Sequence, residues 1–436
     1  MKKVKIGIIT ILAFGISGVN TFYAASPAVG KVGAVLPAWQ EGTLDVHSIS
    51  TGRGESFLYI FPDGTSMLID AGGSLLNDTI CKHLDIATCF PPRPSKDISC
   101  GMVIADYVKH FNPNGKTVDY WVNSHLDTDH IGNFPETHAA LSSYSAGIKK
   151  HPEGGFYLNG VNEVGTLLDF KKMIDRDHTI PVDRSKEKRI ADYKRFINWT
   201  AKAKGTVYEP AKVGHDDQIV MTHNPEKYPD FKVRVLCASG NYWTGKGNDT
   251  KWNLPLDATG KPDLKAIKAA KPKENIYSVG LMLNFGDFDL YTAGDLQYNN
   301  REEYAWLDAD APLIPVVKPV EVMKASHHGT LFTNSPELLA VLKPQTVMVN
   351  AWRSVQPRTK TYQDITDANP NVNIFLNDIH PDNVENVAQF AKNMTATGGH
   401  TVIRVGSDGT YMVYMLDDTN QEYKVKSVHG PYRSQK

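Results

Sequence analysis

Three apolar stretches of this chain lead into residues that can bind a metal ion, and this arrangement constrains the fold more than any other feature. The stretch at 118–122 leads into the run His125-Leu126-Asp127-Thr128-Asp129-His130, and two later stretches lead into Asp295 and into His327-His328. Short apolar runs bounded by polar residues are typical of buried strands. Three strand ends of this kind predict one metal site, assembled from distant parts of the chain.

The residue types in these motifs suit a divalent cation. Imidazole nitrogens and carboxylate oxygens bind zinc, and they also bind iron or manganese. Four ligand-type residues within six positions favour two adjacent ions over one ion, with Asp295 as the natural bridging carboxylate. The predicted metal ligands are His125, Asp127, Asp129, His130, Asp295 and His327.

Two residues of the motifs are predicted to take part in catalysis. Asp129 would hold an attacking water and accept a proton from it. His327 comes first at its strand end and is therefore favoured as the metal ligand. This leaves His328 either to donate a hydrogen bond to the oxyanion that develops or to replace His327 as the ligand.

The order of predicted strands and helices indicates a mixed α/β (α+β) protein. Helical patterns at 104–111 and 184–204 alternate with apolar strands, and hairpin turns occur beside longer crossovers. This combination favours two mixed sheets covered by helices. We find no internal repeat with a period of about 20 to 50 residues, which argues against a solenoid or a propeller.

The first 25 residues have the pattern of a secretory signal peptide. Residues 1–5 are basic, residues 6–19 are apolar, and small residues follow near Ala24. The apolar run is too short to span a membrane, and no later segment is long and apolar enough to do so. We therefore expect a secreted or periplasmic protein whose folded part is residues 26–436.

Charge narrows the choice of partners. The formal net charge is -1, so no overall field draws the protein toward nucleic acid or a membrane. Lysines concentrate in a segment at about 140–275, which is expected to be an irregular insertion in a single hydrolase domain. The excess of Lys and Arg in its predicted helix at 184–204 is explained by a helix face exposed to solvent. The alternative is that these residues form a positive rim near the site of an anionic substrate. A second basic run contains Lys261, Lys265, Lys268, Lys271 and Lys273.

The four cysteines are expected to behave in two ways. Cys81, Cys89 and Cys100 lie close together in a proline-rich stretch. Export permits disulfides, so a local bridge among these three is expected. Cys237 ends an apolar strand and is expected to be a buried free thiol.

Taken together, the motifs resemble those of the metallo-β-lactamase superfamily of metallohydrolases. Within it, the chain is most similar to the branch typified by the extracellular hydrolase domain of the ComEC-type DNA-uptake proteins. The matching segments are Gly52-Arg53-Gly54-Glu55, Phe61-Pro62-Asp63-Gly64, Leu68-Ile69-Asp70-Ala71-Gly72, the 125–130 run, Ala293-Gly294-Asp295-Leu296 and His327-His328-Gly329-Thr330. The resemblance implies a four-layer αββα sandwich of two mixed sheets. It also implies that Asp70 orients a metal ligand rather than binding the metal itself.

The sequence departs from the superfamily pattern at Asp127, where a second histidine is usual. A carboxylate is a harder ligand than imidazole, so the preferred metal can change with it. Many members also use a further histidine between the first and fourth motifs. The histidines available there are His151, His178, His215 and His223. Each of them is expected to be a surface or core residue.

The resemblance implies a metal-dependent hydrolase with one or two divalent ions, zinc first among them. Water activated by the metal would attack a phosphoester, with phosphodiesters included. The alternatives are hydrolysis of an ester, lactone or amide, β-lactams included, and a binding protein on the same fold that has lost catalysis. Small molecules, other phosphoesters and nucleic acids all remain open as substrates, and no feature indicates an oligomeric state.

Overall fold

The computed structural model describes residues 29–74, 81, 87–132, 148–181, 187–299 and 302–434. The predicted signal segment, residues 1–25, lies outside the described residues, so export stays a prediction. Residues 140–147 and 182–186 of the predicted insertion lie outside them as well. Within the described ranges we find no helix with the length and hydropathy that a membrane span requires.

Two large sheets form the body of the protein. In chain order, the strands of the described residues are β1 (Leu44–Ser48), β2 (Phe57–Ile60), β3 (Ser66–Ile69), β4 (Thr117–Asn123), β5 (Asp169–Asp175), β6 (Val207–Pro210), β7 (Lys232–Ala238), β8 (Asn241–Trp243), β9 (Thr250–Trp252), β10 (Gly280–Phe285), β11 (Phe288–Thr292), β12 (Val322–Lys324), β13 (Thr346–Val349), β14 (Asn373–Leu376), β15 (Met394–Thr397), β16 (His400–Val405), β17 (Thr410–Leu416) and β18 (Val425–Arg433). The first sheet has the order β18-β17-β16-β1-β2-β3-β4-β5-β6, and the second has the order β15-β14-β13-β12-β11-β10-β7-β8-β9. Each sheet mixes parallel and antiparallel pairs.

Helices connect the strands and begin and end where local chemistry dictates. In the described residues they are α1 (Cys100–Phe111), α2 (Thr128–Ile131), α3 (Val161–Leu167), α4 (Lys188–Lys204), α5 (Leu264–Ala270), α6 (Pro336–Leu342), α7 (Thr359–Ala368) and α8 (Val384–Val387). Helix α1 begins after Ser99, whose side chain accepts a hydrogen bond from the Met102 backbone N–H, a standard N-cap. Helix α4 ends at Gly205, which adopts the left-handed conformation that glycine allows at low cost.

Three groups of buried apolar side chains separate the layers of the fold. In β2, Phe57 belongs to the core between the sheets, and its neighbour Leu58 belongs to the core beneath α1, α3 and α4. In β13, Met348 faces the core between the sheets, and Val347 faces the core beneath α6 and α7. This alternation is what a strand buried on both faces produces. The protein is a four-layer αββα sandwich of two mixed sheets, as the sequence predicted.

The segment at 140–275 is more regular than its composition indicated. Strands β5 and β6 extend the first sheet, and β7, β8 and β9 extend the second. Lysines within β5 and β9 interrupt the apolar pattern that normally marks a strand. The exposed edge strand β18 was also not predicted, since it contains Gly430-Pro431, and proline is tolerated only at such edges.

A buried ion pair fixes β1 against β16. Asp45 and Arg404 lie directly opposite each other in the two strands, and both are buried. Arg404 Nη2 donates to Asp45 Oδ2 at 2.7 Å, and Arg404 Nε donates to Asp45 Oδ1 at 2.9 Å. Burial opposes ionisation of Asp45, but the charge of Arg404 and hydrogen bonds from His47 and Arg404 outweigh it. Together they lower the pKa of Asp45 to about 2.

We expect the Arg404→Met variant to lose about 3–5 kcal/mol of unfolding free energy at neutral pH, because a buried carboxylate is left without its partner. The folded pKa of Asp45 lies below the unfolded value of about 3.9, so the stabilisation is present above pH of about 4. It is lost as the pH falls toward the folded pKa, and the deficit of the variant should therefore shrink in acid. Urea unfolding at neutral pH and at a pH of about 3 measures both effects.

The control is Lys392→Met, which removes an exposed cation. It should change the unfolding free energy by no more than about 0.5 kcal/mol. Equal urea midpoints for wild type and Arg404→Met at neutral pH would contradict the stabilising role of the pair.

Two of the clustered cysteines lie side by side. The Sγ atoms of Cys81 and Cys89 are 3.1 Å apart, and both residues are buried. All four thiols are free in this structure, but a small closure of this gap would place Cys81 and Cys89 at bonding distance. Cys237 is buried, as the sequence predicted.

Oxidised glutathione is expected to convert Cys81 and Cys89 to a disulfide, with two molecules of glutathione released. A thiol count with Ellman's reagent in denaturant should then fall from four to two. Cys81→Ser should show three thiols before and after oxidation, and the control Cys100→Ser should fall from three to one. Retention of all four thiols in the oxidised wild type would refute the pairing.

Candidate metal centre

The predicted ligands come together where the two sheets meet at one end. The loop after β4 carries His125 to His130, the loop after β11 carries Asp295, and the turn after β12 carries His327 and His328. The loop after β4 packs closely on two glycines: a Cβ atom at Gly54 or Gly72 would lie 2.2 or 2.0 Å from the Asp129 backbone oxygen. Only glycine allows so close an approach, so these positions set where Asp129 lies.

Asp295 is the centre of the cluster. Its Oδ2 atom lies 3.1 Å from His130 Nε2, 3.6 Å from both His327 Nε2 and His328 Nε2, and 3.8 Å from His125 Nε2. Asp295 is buried, as are all these histidines except His327, which is partly exposed. One carboxylate oxygen thus faces four imidazole nitrogens from both sheets.

Two further carboxylates lie beside histidines that face Asp295. Asp127 Oδ2 lies 3.8 Å from His125 Nε2, and Asp129 Oδ2 lies 3.2 Å from His328 Nε2. Trp352 Nε1 donates a hydrogen bond of 3.2 Å to the same oxygen of Asp129. The cluster therefore has two lobes that share the Asp295 carboxylate. One lobe is the His125–Asp127 pair, and the other is the His328–Asp129 pair.

Hydrogen bonds fix the tautomer of His130. Its Nδ1 lies 2.7 Å from Asp70 Oδ2, and a carboxylate only accepts, so Nδ1 carries the proton. Asp70 also accepts from the backbone N–H and the hydroxyl of Ser124, at 2.7 Å and 2.6 Å. Asp70 therefore orients His130 and leaves its Nε2 directed at Asp295, which is the orienting role that the resemblance implied.

The same reasoning applies to His328. Its Nδ1 lies 2.8 Å from the backbone oxygen of Asn350, so this nitrogen is the donor and Nε2 is directed at Asp129 and Asp295. His327 and His328 both have positive φ angles, 49° and 55°. Strained backbone of this kind in residues other than glycine clusters at active sites and ligand clamps.

The donor set fits a divalent cation. The buried Nε2 atoms of His125 and His130 have no hydrogen-bond partner among the described residues. A neutral imidazole lone pair that faces a carboxylate oxygen is repelled by it, and only a proton or a cation between the two makes the contact favourable. Nitrogen and oxygen ligands in this number suit zinc, manganese or iron.

The electrostatics of the histidines point the same way. Burial disfavours a charged His130, yet the charges of Asp295, Asp70 and Asp129 raise its pKa well above the ordinary value. Burial and the neighbouring charge of His130 lower the pKa of His125 well below the ordinary value, so His125 is neutral. The carboxylates thus favour positive charge at the centre, while His125 keeps a lone pair free to bind it.

Glu55 and Lys324 border the centre, and the sequence analysis did not identify them as site residues. Glu55, His130, Asp295 and His328 form a buried group that could hold a metal ion, with ligand atoms within 4.8 Å of one another. Glu55 Oε2, however, lies 2.7 Å from Lys324 Nζ, which also donates to the Gly294 backbone oxygen at 2.6 Å. The geometry therefore favours Glu55 as the counterion of a buried ammonium.

Lys324 also affects Asp295. Its Nζ lies 3.6 Å from Asp295 Oδ1, so one oxygen of this carboxylate faces the ammonium and the other faces the histidines. The signal in the sequence was a lysine inside the apolar strand β12, because a buried charge requires a partner.

The structure brings all the predicted site residues together, and it places the two histidines of the pair in different surroundings. His328 belongs to the compact buried group, while the favoured ligand His327 lies at the partly exposed edge beside Asn275, whose Nδ2 is 3.2 Å from its ring. The roles assigned to the individual residues stay predictions. Of the histidines between the first and fourth motifs, His223 lies 3.7 Å from Asp119 and His215 lies 3.0 Å from Asp217.

No protein-family model and no curated protein matches this chain. Among solved structures, it is similar to Igni18, described as a novel metallo hydrolase from the hyperthermophilic archaeon Ignicoccus hospitalis, with 13% identity and a TM-score of 0.32 over 76% of this chain and 94% of that one. It is also similar to a new diphosphatase from the PhnP family, with 10% identity and a TM-score of 0.29 over 83% of this chain and 97% of that one. Likenesses at these TM-scores assign neither an activity nor a substrate to this chain.

The Asp70→Asn variant is expected to bind zinc about 10–100-fold more weakly than wild type. Three donors converge on the two carboxylate oxygens of Asp70, and an amide offers only one oxygen, so His130 loses the partner that fixes its tautomer. Competition with a chromophoric chelator measures the zinc affinity. Asp217→Asn, at an exposed residue that pairs with His215, is the matched control and should bind zinc as wild type does. Unchanged affinity in Asp70→Asn would show that Asp70 does not orient a ligand.

Proposed function

We propose that this protein is a metal-dependent hydrolase of phosphoesters, phosphodiesters included. The observation that carries the proposal is the Asp295 carboxylate, which faces four imidazole nitrogens and is flanked by Asp127 and Asp129. The resemblance of the sequence motifs to metallohydrolases supports the same reaction class. A centre with two lobes around one shared carboxylate suits a pair of cations, and such pairs recur in phosphatases and nucleases.

The residues around the centre have separable tasks. Divalent ions bound here would lower the pKa of a bound water and stabilise negative charge on the phosphoryl oxygens. Asp129, held by Trp352, accepts a hydrogen bond from the attacking water and orients it toward phosphorus. The new bond joins the water oxygen to phosphorus, the bond to the leaving oxygen breaks, and the products are a phosphomonoester and an alcohol.

The partly exposed His327 is the residue best placed to meet the substrate. Its ring lies at the edge of the centre, next to the side chain of Asn275. His328 is buried deeper and is held by the Asn350 backbone oxygen. This difference in exposure favours His328 for binding the metal and His327 for contact with the phosphoryl group, which exchanges the roles that their order in the chain suggested.

Metal analysis and hydrolysis of bis(p-nitrophenyl) phosphate test the proposal. Purified protein should contain a divalent metal, EDTA should abolish hydrolysis, and zinc, manganese or iron should restore it. Asp129→Asn should lower kcat/KM by roughly 100-fold or more, since it removes the group that orients the water. His215→Gln, at a histidine outside the centre, is the matched control and should keep wild-type activity.

Other substrates separate the alternatives. Nitrocefin, a lactone panel and carboxylic esters would be hydrolysed in preference to the phosphodiester if the centre acts on acyl groups. Protein that holds no metal and hydrolyses none of these compounds would refute the proposal and favour a binding protein.

A further inference from the structure

A lysine-lined cavity opens onto the metal centre. It has a volume of about 510 Å³, and its walls include Lys268, Lys271 and Lys273 together with Asp127 and Asn275. Asp127 is one of the carboxylates of the centre, and Asn275 contacts His327. A group bound in this cavity would therefore lie next to the position of a substrate at the centre.

The three lysines bring uncompensated positive charge to this cavity. All three are exposed, and none of them forms an ion pair with a described carboxylate, although lysines elsewhere in the chain do. Glu274, which also lines the cavity, is already bound by Arg176 Nη2 at 3.0 Å. The exposed Glu187 is the other acidic residue outside the centre in the walls. Cations therefore outnumber available anions on this face of the cavity.

The backbone holds these lysines in fixed positions. Lys271 ends helix α5 in the left-handed conformation, with a φ of 49°. Lys273 precedes the turn of 3-10 helix at Glu274–Tyr277, which the buried Arg176–Glu274 pair anchors. A left-handed residue at this position is a common way for a helix to end. The fold therefore sets the backbone positions from which these lysines reach the cavity.

The geometry points to a subsite for a second phosphate group of the substrate. We propose that the lysine-lined cavity binds this group while the scissile phosphodiester lies at the metal centre. The inference rests on the proposed function, and it narrows the substrate class to phosphodiesters that carry a further phosphate. At the metal centre, bound cations would balance the charge of the carboxylates and of the scissile phosphodiester. In the cavity, lysines alone balance the charge of the second phosphate.

The test compares two probes that differ by one phosphate. Thymidine 3′,5′-bisphosphate and thymidine 5′-monophosphate are titrated into metal-loaded protein by isothermal titration calorimetry. The wild type should bind the bisphosphate roughly tenfold more tightly, since each exposed charge pair contributes modestly and three act together. The preference should fall as salt is added, because exposed charges are screened.

Variants assign the preference to these lysines. In Lys268→Gln/Lys271→Gln/Lys273→Gln, the ratio of the two dissociation constants should fall toward one. Lys261→Gln/Lys265→Gln changes two lysines of the same segment that do not line the cavity, and it should keep the wild-type ratio. An equal ratio in wild type and the triple variant, or an equal loss in the control, would overturn the proposal.

Hydrolysis separates this inference from the proposed function. The p-nitrophenyl esters of the same two thymidine phosphates are compared, and the subsite predicts a lower KM for the ester with the 3′-phosphate. If neither ester is hydrolysed but the calorimetric preference depends on the lysines, the proposed function fails and the subsite stands. If both are hydrolysed with equal KM and bind without preference, the subsite fails and the proposed function stands.

Discussion

The carboxylates and imidazole lone pairs at the junction of the two sheets repel one another, and only a positive charge between them makes their contact favourable. The loops of two sheets bring carboxylates and imidazole lone pairs within 4 Å of one another in a buried space, where water cannot screen them. Asp70 and the Asn350 backbone oxygen hold His130 and His328 with their lone pairs toward the carboxylates. Lys324 balances part of the negative charge. The remaining imbalance explains why a cation centre is the natural interpretation of this end of the fold.

Much of the fold and the set of candidate ligands could be predicted because both follow from local patterns. Apolar runs in the sequence predicted the strands of the sheets, and the candidate metal ligands follow such runs. The pairing of Glu55 with Lys324 could not be predicted, since the two residues are distant in the chain and meet only through folding. The order of His327 and His328 in the chain could not decide which of them binds a metal, because both residues have left-handed backbones and the alternation of a strand does not apply to them.

The outermost strands of the 148–275 segment, β6 and β9, could not be predicted for a different reason. An edge strand is exposed along one side and needs little apolar character, so polar residues such as Glu209 and Lys251 stand where apolar residues usually mark a strand. This polar segment is also where the lysine-lined cavity arises. The polar segment thus contributes the proposed phosphate subsite, while the loops after β4, β11 and β12 contribute the candidate metal ligands.

The placement of the centre between the two sheets has a mechanical consequence. His125 and His130 follow a strand of the first sheet, and Asp295 and His328 follow strands of the second. A cation bound by all four would therefore cross-link the two sheets. A species that binds only the folded state shifts the folding equilibrium by mass action. Heat resistance would then vary with the free divalent ions in the surroundings, and in an ion-poor medium this end of the sandwich would be the first to open.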